Sequence, residues 1–346
     1  MSTKPAMVLE GLQPYLTAIE EQMKAAMAFP RAEELSPYYG MMFYHLGWMD
    51  ETFSPRTQRS GKRVRPLLSL LSCEACGGDW RQALPAAAAV EIVHNFSLIH
   101  DDIEDQSLER RHHPTVWSLW GAAQAINAGD GLFIIGHLAL HHLLARGVST
   151  ARAVRALRAL DETCLELTEG QYLDLSFEEQ DTVSVQMYLQ MIDRKTAALI
   201  GCATHLGSLL AMDDAEIIGR YRQFGRQLGL AFQITDDILG IWGQEETTGK
   251  GVGEDIVSKK KSLPVVYALD TGDVELREIY AQDEIRIPQV QVVIERLDKL
   301  GAREYATKMA TRHSELALDT LESTGIQNQA QDRLRELALF LLERQY

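Results

Sequence analysis

The chain has 346 residues, 46% of them apolar and 24% charged, enough for one large or two ordinary globular domains. A net charge of −15 argues against a general nucleic-acid binder, and it requires any anionic ligand to meet a locally basic site or to arrive with divalent metal. No uncharged apolar run reaches the length of a membrane span, and the opening MSTKPAMVLE lacks the basic-then-apolar order of a signal peptide, so a cytoplasmic protein without a transmembrane segment is expected.

Almost every segment carries helical spacing and no β-branched alternating run occurs, which predicts an all-α chain. Helices are expected over 6–27, 37–53, 61–76, 82–106, 116–145, 150–178, 184–211, 213–243, 260–270, 287–301, 302–324 and 328–344, with breaks at Gly77-Gly78-Asp79, His113-Pro114, Gly147-Val148-Ser149 and the loop from Gly249 to Gly253. No linker, low-complexity tract or repeat divides them, so a single domain over 1–346 is the economical reading. Its chemistry is expected within 61–264, and the amphipathic helices of 287–344 read as structural.

Taken in order, the first basic element is SGKRVRP, where Lys62, Arg63 and Arg65 open an apolar helix. Cations at a helix start oppose its dipole, a mismatch that a bound anion would offset and that a surface salt-bridge cluster would also satisfy. Cys73 and Cys76 have C-x-x-C spacing, but no second pair joins them. With Cys164 and Cys202 they read as buried structural thiols.

The stretch HNFSLIHDDIEDQSLERRHHPT follows an apolar segment. On a helix, Asp101 and Asp105 lie one turn apart on one face. At roughly 6 Å and an effective dielectric of about 20 their charges repel by roughly 3 kcal/mol when partly buried, a cost that a cation removes. Carboxylate oxygens completed by water and phosphate are the usual setting of Mg²⁺ with a diphosphate, and Arg110 and Arg111 offer planar forks for phosphate oxygens. Without a ligand, the same residues would be a solvated acidic helix end and a basic turn.

Further along, Met187 and Met191 belong to an apolar core stripe. The segment GLAFQITDDILGIWGQEETTGKGVGEDIVSKKKSLP then repeats the acidic logic. Gln233, Asp236 and Asp237 share a helical face, followed by a glycine-rich loop with Lys250 and by Lys259, Lys260 and Lys261. Carboxylates from two such helices could clamp several metal ions around one diphosphate.

These elements together resemble the all-trans polyprenyl diphosphate synthase family, which includes farnesyl and geranylgeranyl diphosphate synthases. The resemblance runs from about residue 40 to 270 and rests on GKRVRP, DDIEDQSLERR, EGQYLDL (169–175), DRKTAALIG (193–201), QITDDILG and the GK loop followed by KKKSLP, in that order. It implies an antiparallel helical bundle around a deep central cavity, a homodimer, and head-to-tail condensation of isopentenyl diphosphate with an allylic diphosphate. It implies three Mg²⁺ ions, with Mn²⁺ as a possible substitute, held by Asp101, Asp105 and Asp236, with Asp102 and Asp237 assisting. By the same resemblance Arg110, Lys195, Lys250 and Lys260 contact the allylic diphosphate, and Lys62, Arg65, His94 and Arg111 bind isopentenyl diphosphate without metal. Thr196, Gln171 and Gln233 line the reacting carbons.

Three departures touch the motifs: Gly240 stands where many members carry a third aspartate, His112 replaces a common glycine, and Gly251 replaces a common proline after the loop lysine. Phe96 and Ser97 lie about one helical turn, roughly 7 Å, before Asp101. One aromatic beside a serine resembles short-chain members that make C20 products, with C15 and C25 as alternatives. A class I terpene cyclase would share the aspartates but has no use for GKRVRP and Arg111, and a non-catalytic regulatory subunit would be expected to have lost metal ligands.

Overall fold

The structure, a computed structural model, describes residues 11–29, 32–56, 61–180, 182–243 and 253–342. The all-α expectation holds: helices α1 to α16 account for nearly all regular structure among the described residues, with one two-stranded hairpin. They divide into two compact units, one drawn from 1–161 and 205–213, the other from 162–204 and 214–346.

In the first unit lie α1 (Gln13–Ala26), α2 (Ser36–His45), α3 (Val64–Ala75), α4 (Leu84–Glu104), α5 (Val116–Trp120) and α6 (Ala122–Ala145). Its centre is the pairing of α4 with α6. The run Ala86 to Ala89 and Val93 on α4 are fully buried, and a Cβ at Gly136 of α6 would stand 2.8 Å from Val93 and 3.4 Å from the Ala89 carbonyl, so the two helices approach closely there. By length and composition α6 is the one described helix that could cross a membrane, yet 44% of its apolar window is buried within the protein. Ile126, Ile134 and Leu138 on its other face are exposed.

Several boundaries differ from expectation for local reasons. The helix expected over 61–76 begins at Val64 because Arg63 takes a left-handed conformation, φ 51° and ψ 40°. The one expected to reach residue 53 ends at His45, and Asp50 organises the turn beyond it by accepting from the Thr52 and Ser54 backbone N–H groups, each at 2.9 Å. Gly121, φ 84° and ψ 155°, separates α5 from α6. After α4 comes the unexpected hairpin of β1 (Glu109–Arg110) and β2 (His113–Pro114). Its two-residue turn, Arg111 and His112, has φ of 53° and 62°, the signature of a type I′ turn. The common glycine replaced by His112 would enter that turn without strain.

α7 (Thr150–Glu179) gives its first part to the first unit and its remainder to the second. The second unit also contains α8 (Val185–Ile192), a π-helical turn (Asp193–Ala197), the start of α9 (Ala198–Ala211), and α10 (Ala215–Trp242), which packs along α15 (Ala302–Glu322). Tyr188, Met191, Ile192, Ile234, Ile238 and Leu263 form one of its apolar cores. A second core gathers α11 (Glu254–Val257), α12 (Leu263–Asp270), α13 (Val274–Tyr280) and α14 (Ile287–Lys299). α13 was not expected; its start is capped by Asp273, whose carboxylate accepts from the Leu276 N–H at 2.9 Å. α16 (Gln329–Leu342) is the last described helix. All four cysteines are free; Cys73, Cys164 and Cys202 are buried as expected, whereas Cys76, the C-cap of α3, is only half-buried, and burial pushes the Cys73 thiol up to about 12 and the Cys202 thiol to about 11, as inert structural thiols require.

Candidate active site

In the first unit the three aspartates sit at the C-terminal end of α4 and divide by exposure. Asp101 is half-buried, Asp105 is the exposed C-cap one turn later, and Asp102 points inward with 1% exposure. The i,i+4 pair therefore lies on one face as the spacing requires. Asp102 instead accepts from Arg110 Nε at 2.8 Å. Burial raises its pKa to about 6, and Arg110 opposes that shift. The hairpin is what delivers Arg110, because β1 folds back beside the end of α4.

The same hairpin sets Arg111 against the GKRVRP segment. A Cβ at Gly61, itself at φ 82°, would stand 3.0 Å from Arg111 Nη1. Beneath this contact Arg63 turns away from solvent. Its Nε donates to Glu20 at 2.7 Å and its Nη1 to Glu91 at 2.9 Å, so one guanidinium ties α1 to α4. Lys62 is left exposed and Arg65 half-buried. His94 on α4 is held neutral, well below the usual histidine range, by burial and then by Arg65, Arg111 and Arg110. The expected cations of SGKRVRP, His94 and the hairpin are thus brought together in one unit. His45, which the sequence reading passed over, joins them: its Nε2 is sealed from solvent without a partner, and burial with Arg110, Arg111 and Arg63 lowers its pKa to about 3.

Phe96 is buried on α4, with its ring edge-on to Phe133 of α6 at 4.9 Å and to His100 at 5.7 Å. Phe133 in turn meets His137 at 4.5 Å. Ser97 is half-buried, and its hydroxyl donates to the His94 carbonyl at 2.9 Å. The single expected aromatic is thus part of a longer aromatic row. Its second ring comes from another helix, 37 positions on by sequence number (133 − 96), where periodicity gives no pointer to the pairing.

In the second unit Lys195 and Thr196 belong to the π turn, an element that recurs at functional sites. Two devices hold it. A Cβ at Gly170 would stand 2.3 Å from Lys195 N, so only glycine lets α7 lie this close. Arg226 forks onto Asp193 at 3.0 and 2.7 Å while its remaining nitrogen meets Glu166 at 2.7 Å. Lys195 Nζ itself pairs with Asp174 of the EGQYLDL segment, and Gln171 of the same segment is half-buried. Asp174, Arg226 and Glu166 had no assigned role; Asp174 was at least inside a quoted motif.

On α10, Asp236 is half-buried and Asp237 has 1% exposure. Asp237 Oδ1 accepts from Gln233 Nε2 at 3.0 Å, and Oδ2 accepts from the Leu263 N–H at 3.1 Å and from the Tyr188 hydroxyl. Gln233 Oε1 accepts from Thr196 Oγ1 at 2.9 Å. Burial raises the Asp237 pKa, opposed first by Lys260.

The lysine run separates as well. Lys259 donates to the Gln282 carbonyl, and Lys261 to the carbonyls of Phe177 and Gln180 near the end of α7, whereas Lys260 faces the Asp237 charge. Lys250 and Gly251 lie outside the described residues. At Gly240 a Cβ would stand 2.1 Å from Oδ2 of buried Asp255, so a carboxylate from elsewhere already fills the space of the missing third aspartate.

Among the described residues no three His, Cys, Asp or Glu side chains form a ready metal cage. Asp101 with Asp105, and Asp236, offer oxygen donors that are partly open to solvent. Such a set fits a hard cation that keeps water and takes phosphate oxygens, as Mg²⁺ does.

An all-α chain with two aspartate-bearing helix ends, each accompanied by fixed cations, defines an enzyme of the isoprenoid-synthase class. The chain belongs to the polyprenyl synthetase family, whose match covers residues 47–297. It is 38% identical over 322 residues to the (2E,6E)-farnesyl diphosphate synthase of Mycobacterium tuberculosis, covering 91% of this chain and 88% of that protein. It is 45% identical over 245 residues to the geranylgeranyl diphosphate synthase of the same species, covering 71% and 69%. Among solved structures it is similar to a polyprenyl synthetase from Streptomyces coelicolor, with TM-score 0.87, 35% identity and coverage of 98% and 99%. It is likewise similar to the geranylgeranyl pyrophosphate synthetase of Pyrococcus horikoshii, with TM-score 0.87, 33% identity and coverage of 99% and 100%. The protein is a short-chain trans-prenyltransferase that makes an all-trans polyprenyl diphosphate.

Proposed function

We propose that this enzyme elongates an allylic diphosphate with isopentenyl diphosphate to geranylgeranyl diphosphate, C20, acting as one 1–346 domain and as a homodimer. The observation that carries the product length is Phe96, buried one turn before Asp101 with its ring braced by Phe133. Each five-carbon unit buried contributes up to about 4 kcal/mol, so a chain grows into apolar space until something solid stops it. A ring locked edge-on against a second ring is such a stop. The relatives include both farnesyl and geranylgeranyl synthases, so their names do not choose between C15 and C20.

In this reading Lys62, Arg65, His94 and Arg111 hold isopentenyl diphosphate, with His94 as a neutral hydrogen-bonding ring. Arg110, Lys195, Lys250 and Lys260 hold the allylic diphosphate, and Asp101, Asp105 and Asp236 are the ligands of Mg²⁺, which when bound supplies charge neutralisation as the carbon–oxygen bond breaks. Asp102 and Asp237 act from the interior, the first by aiming Arg110 and the second by aiming Gln233. Thr196, Gln233 and Gln171 turn oxygen atoms to the allylic cation, the alkene of isopentenyl diphosphate attacks it, and released diphosphate takes the proton.

The test is incubation with Mg²⁺, isopentenyl diphosphate and, separately, C5, C10 and C15 allylic diphosphates, with mass analysis of the dephosphorylated alcohols. A dominant C20 alcohol is expected, and Phe96→Ala is expected to shift the product to longer chains. A C15 or C25 end point in the wild type would overturn the length assignment.

A further inference from the structure

Tyr188 sits at the bottom of a hydrogen-bonded chain that ends at Thr196, and no role has been assigned to it. Its ring, 1% exposed, is embedded in the apolar core with Met191, Ile192, Ile234 and Leu263. A phenol so placed must find an acceptor for its hydroxyl, and it finds Asp237. The Leu263 N–H and Gln233 Nε2 supply two further donors, so Asp237 is gripped on both oxygens.

The direction of every bond above this point follows from Asp237. With Oδ2 already taking the Leu263 N–H and the Tyr188 hydroxyl, Asp237 has Oδ1 left to accept, so Gln233 turns its amide N–H to that oxygen and its carbonyl oxygen to Thr196. That oxygen then takes the Thr196 hydroxyl proton. With its hydrogen committed, Thr196 offers only lone pairs to anything that approaches from the other side. Were Gln233 flipped, its NH₂ group would face Thr196, and both groups could present donors to the same region.

Resting on the reading of Thr196 and Gln233 given above, we propose that Tyr188 is a positioning residue: its buried hydroxyl fixes Asp237 so that Gln233 and Thr196 present oxygen lone pairs to the developing allylic cation. Positive charge appears only as the carbon–oxygen bond breaks, so the contribution lies in the transition state and not in substrate binding.

Tyr188→Phe removes the hydroxyl and keeps the ring. It is expected to lower kcat about tenfold, the worth of one such hydrogen bond, with KM for both diphosphates unchanged. Gln233→Met completes a double-mutant cycle. If Tyr188 acts through Gln233, the double variant is no slower than Gln233→Met alone, whereas a packing role gives multiplied losses. Unchanged kcat in Tyr188→Phe, or multiplicative losses, would overturn the proposal. Should Tyr188→Phe lose its helical circular dichroism at the assay temperature, the cycle is run at a lower temperature at which that signal is retained, and the same two outcomes decide. Elongation by the wild type in the same assay is read separately: its absence would remove the proposed function, while elongation with a multiplicative cycle would remove only the role of Tyr188.

Discussion

His45 and His94 are the residues whose chemistry depends most directly on their surroundings. His45 is neutral in the fold, with a pKa of about 3 against 6.5 for a free ring, because burial and the facing Arg110, Arg111 and Arg63 all oppose its charge and outweigh a hydrogen bond with Asn95 that favours it. Above pH 6.5 neither folded nor unfolded chain protonates it, and the stability is fully present. Between 6.5 and about 3 the unfolded chain takes up a proton that the folded one refuses, so stability falls as pH falls. Urea unfolding at pH 7.5 and 5.0 is expected to show a loss in the wild type that is smaller in His45→Asn. An equal loss in both would mean that other groups carry the acid sensitivity. The metal assignment is also tested at single residues. Asp101→Ala or Asp236→Ala is expected to lower turnover about a thousandfold or more with helical circular dichroism unchanged. Near-normal turnover in either purified variant would remove that aspartate from the ligand set. Asp101 and Asp105 were legible because a carboxylate pair at i,i+4 needs only helical geometry to be interpreted. The inward turn of Asp102, the pairing of Lys195 with Asp174 and the singling out of Lys260 from three lysines were not, since each depends on a partner distant in the chain.

At the scale of elements, the fit of α7 to the π turn fixes where Lys195 and Thr196 can be. Gly→Ala inside a helix ordinarily gains about 1 kcal/mol. At Gly170 the new methyl would overlap Lys195 backbone atoms at 2.3 and 2.7 Å, and backbone cannot step aside as a side-chain end can. Gly170→Ala is therefore expected to lower stability by about 1–3 kcal/mol net and to reduce kcat, read by thermal unfolding and steady-state kinetics. A stabilised, fully active variant would show that the close approach has no consequence. Helix existence was readable from periodicity almost throughout. The π turn was not, because i→i+5 bonding has no composition of its own; nor was the hairpin, whose turn uses Arg111 and His112 in place of the Asn-Gly pair that signals such turns.

For the whole molecule, the net charge of −15 coexists with a group of cations in SGKRVRP and the hairpin of the first unit, and with Lys260 in the second. The remaining residues are then strongly acidic on balance, and in the proposed function the cations are reserved for phosphate. The exposed apolar residues Ile126, Ile134 and Leu138 on α6 break that pattern. As the face of a homodimer they would be covered, and sedimentation analysis is expected to give a dimer for the wild type and a monomer for Ile134→Glu with Leu138→Glu. A monomeric wild type would remove the dimer from the proposed function. The family motifs made the enzyme class readable from residues alone, yet a distributed apolar face such as this one has no motif.

The π turn also imposes a phase. It accommodates one residue more than an α-helical path, so the helix leaving it is rotated by about 100° from the continuation of α8. Deleting one residue from 193–197 would heal the backbone into an ordinary helix and keep its hydrogen bonds. It would also swing Ala198, Leu199, Ile200, Cys202 and Ala203, all buried, to new faces. Insertions and deletions here are thus forbidden by the packing of the residues that follow, so the length of this short irregular turn is as constrained as its chemistry.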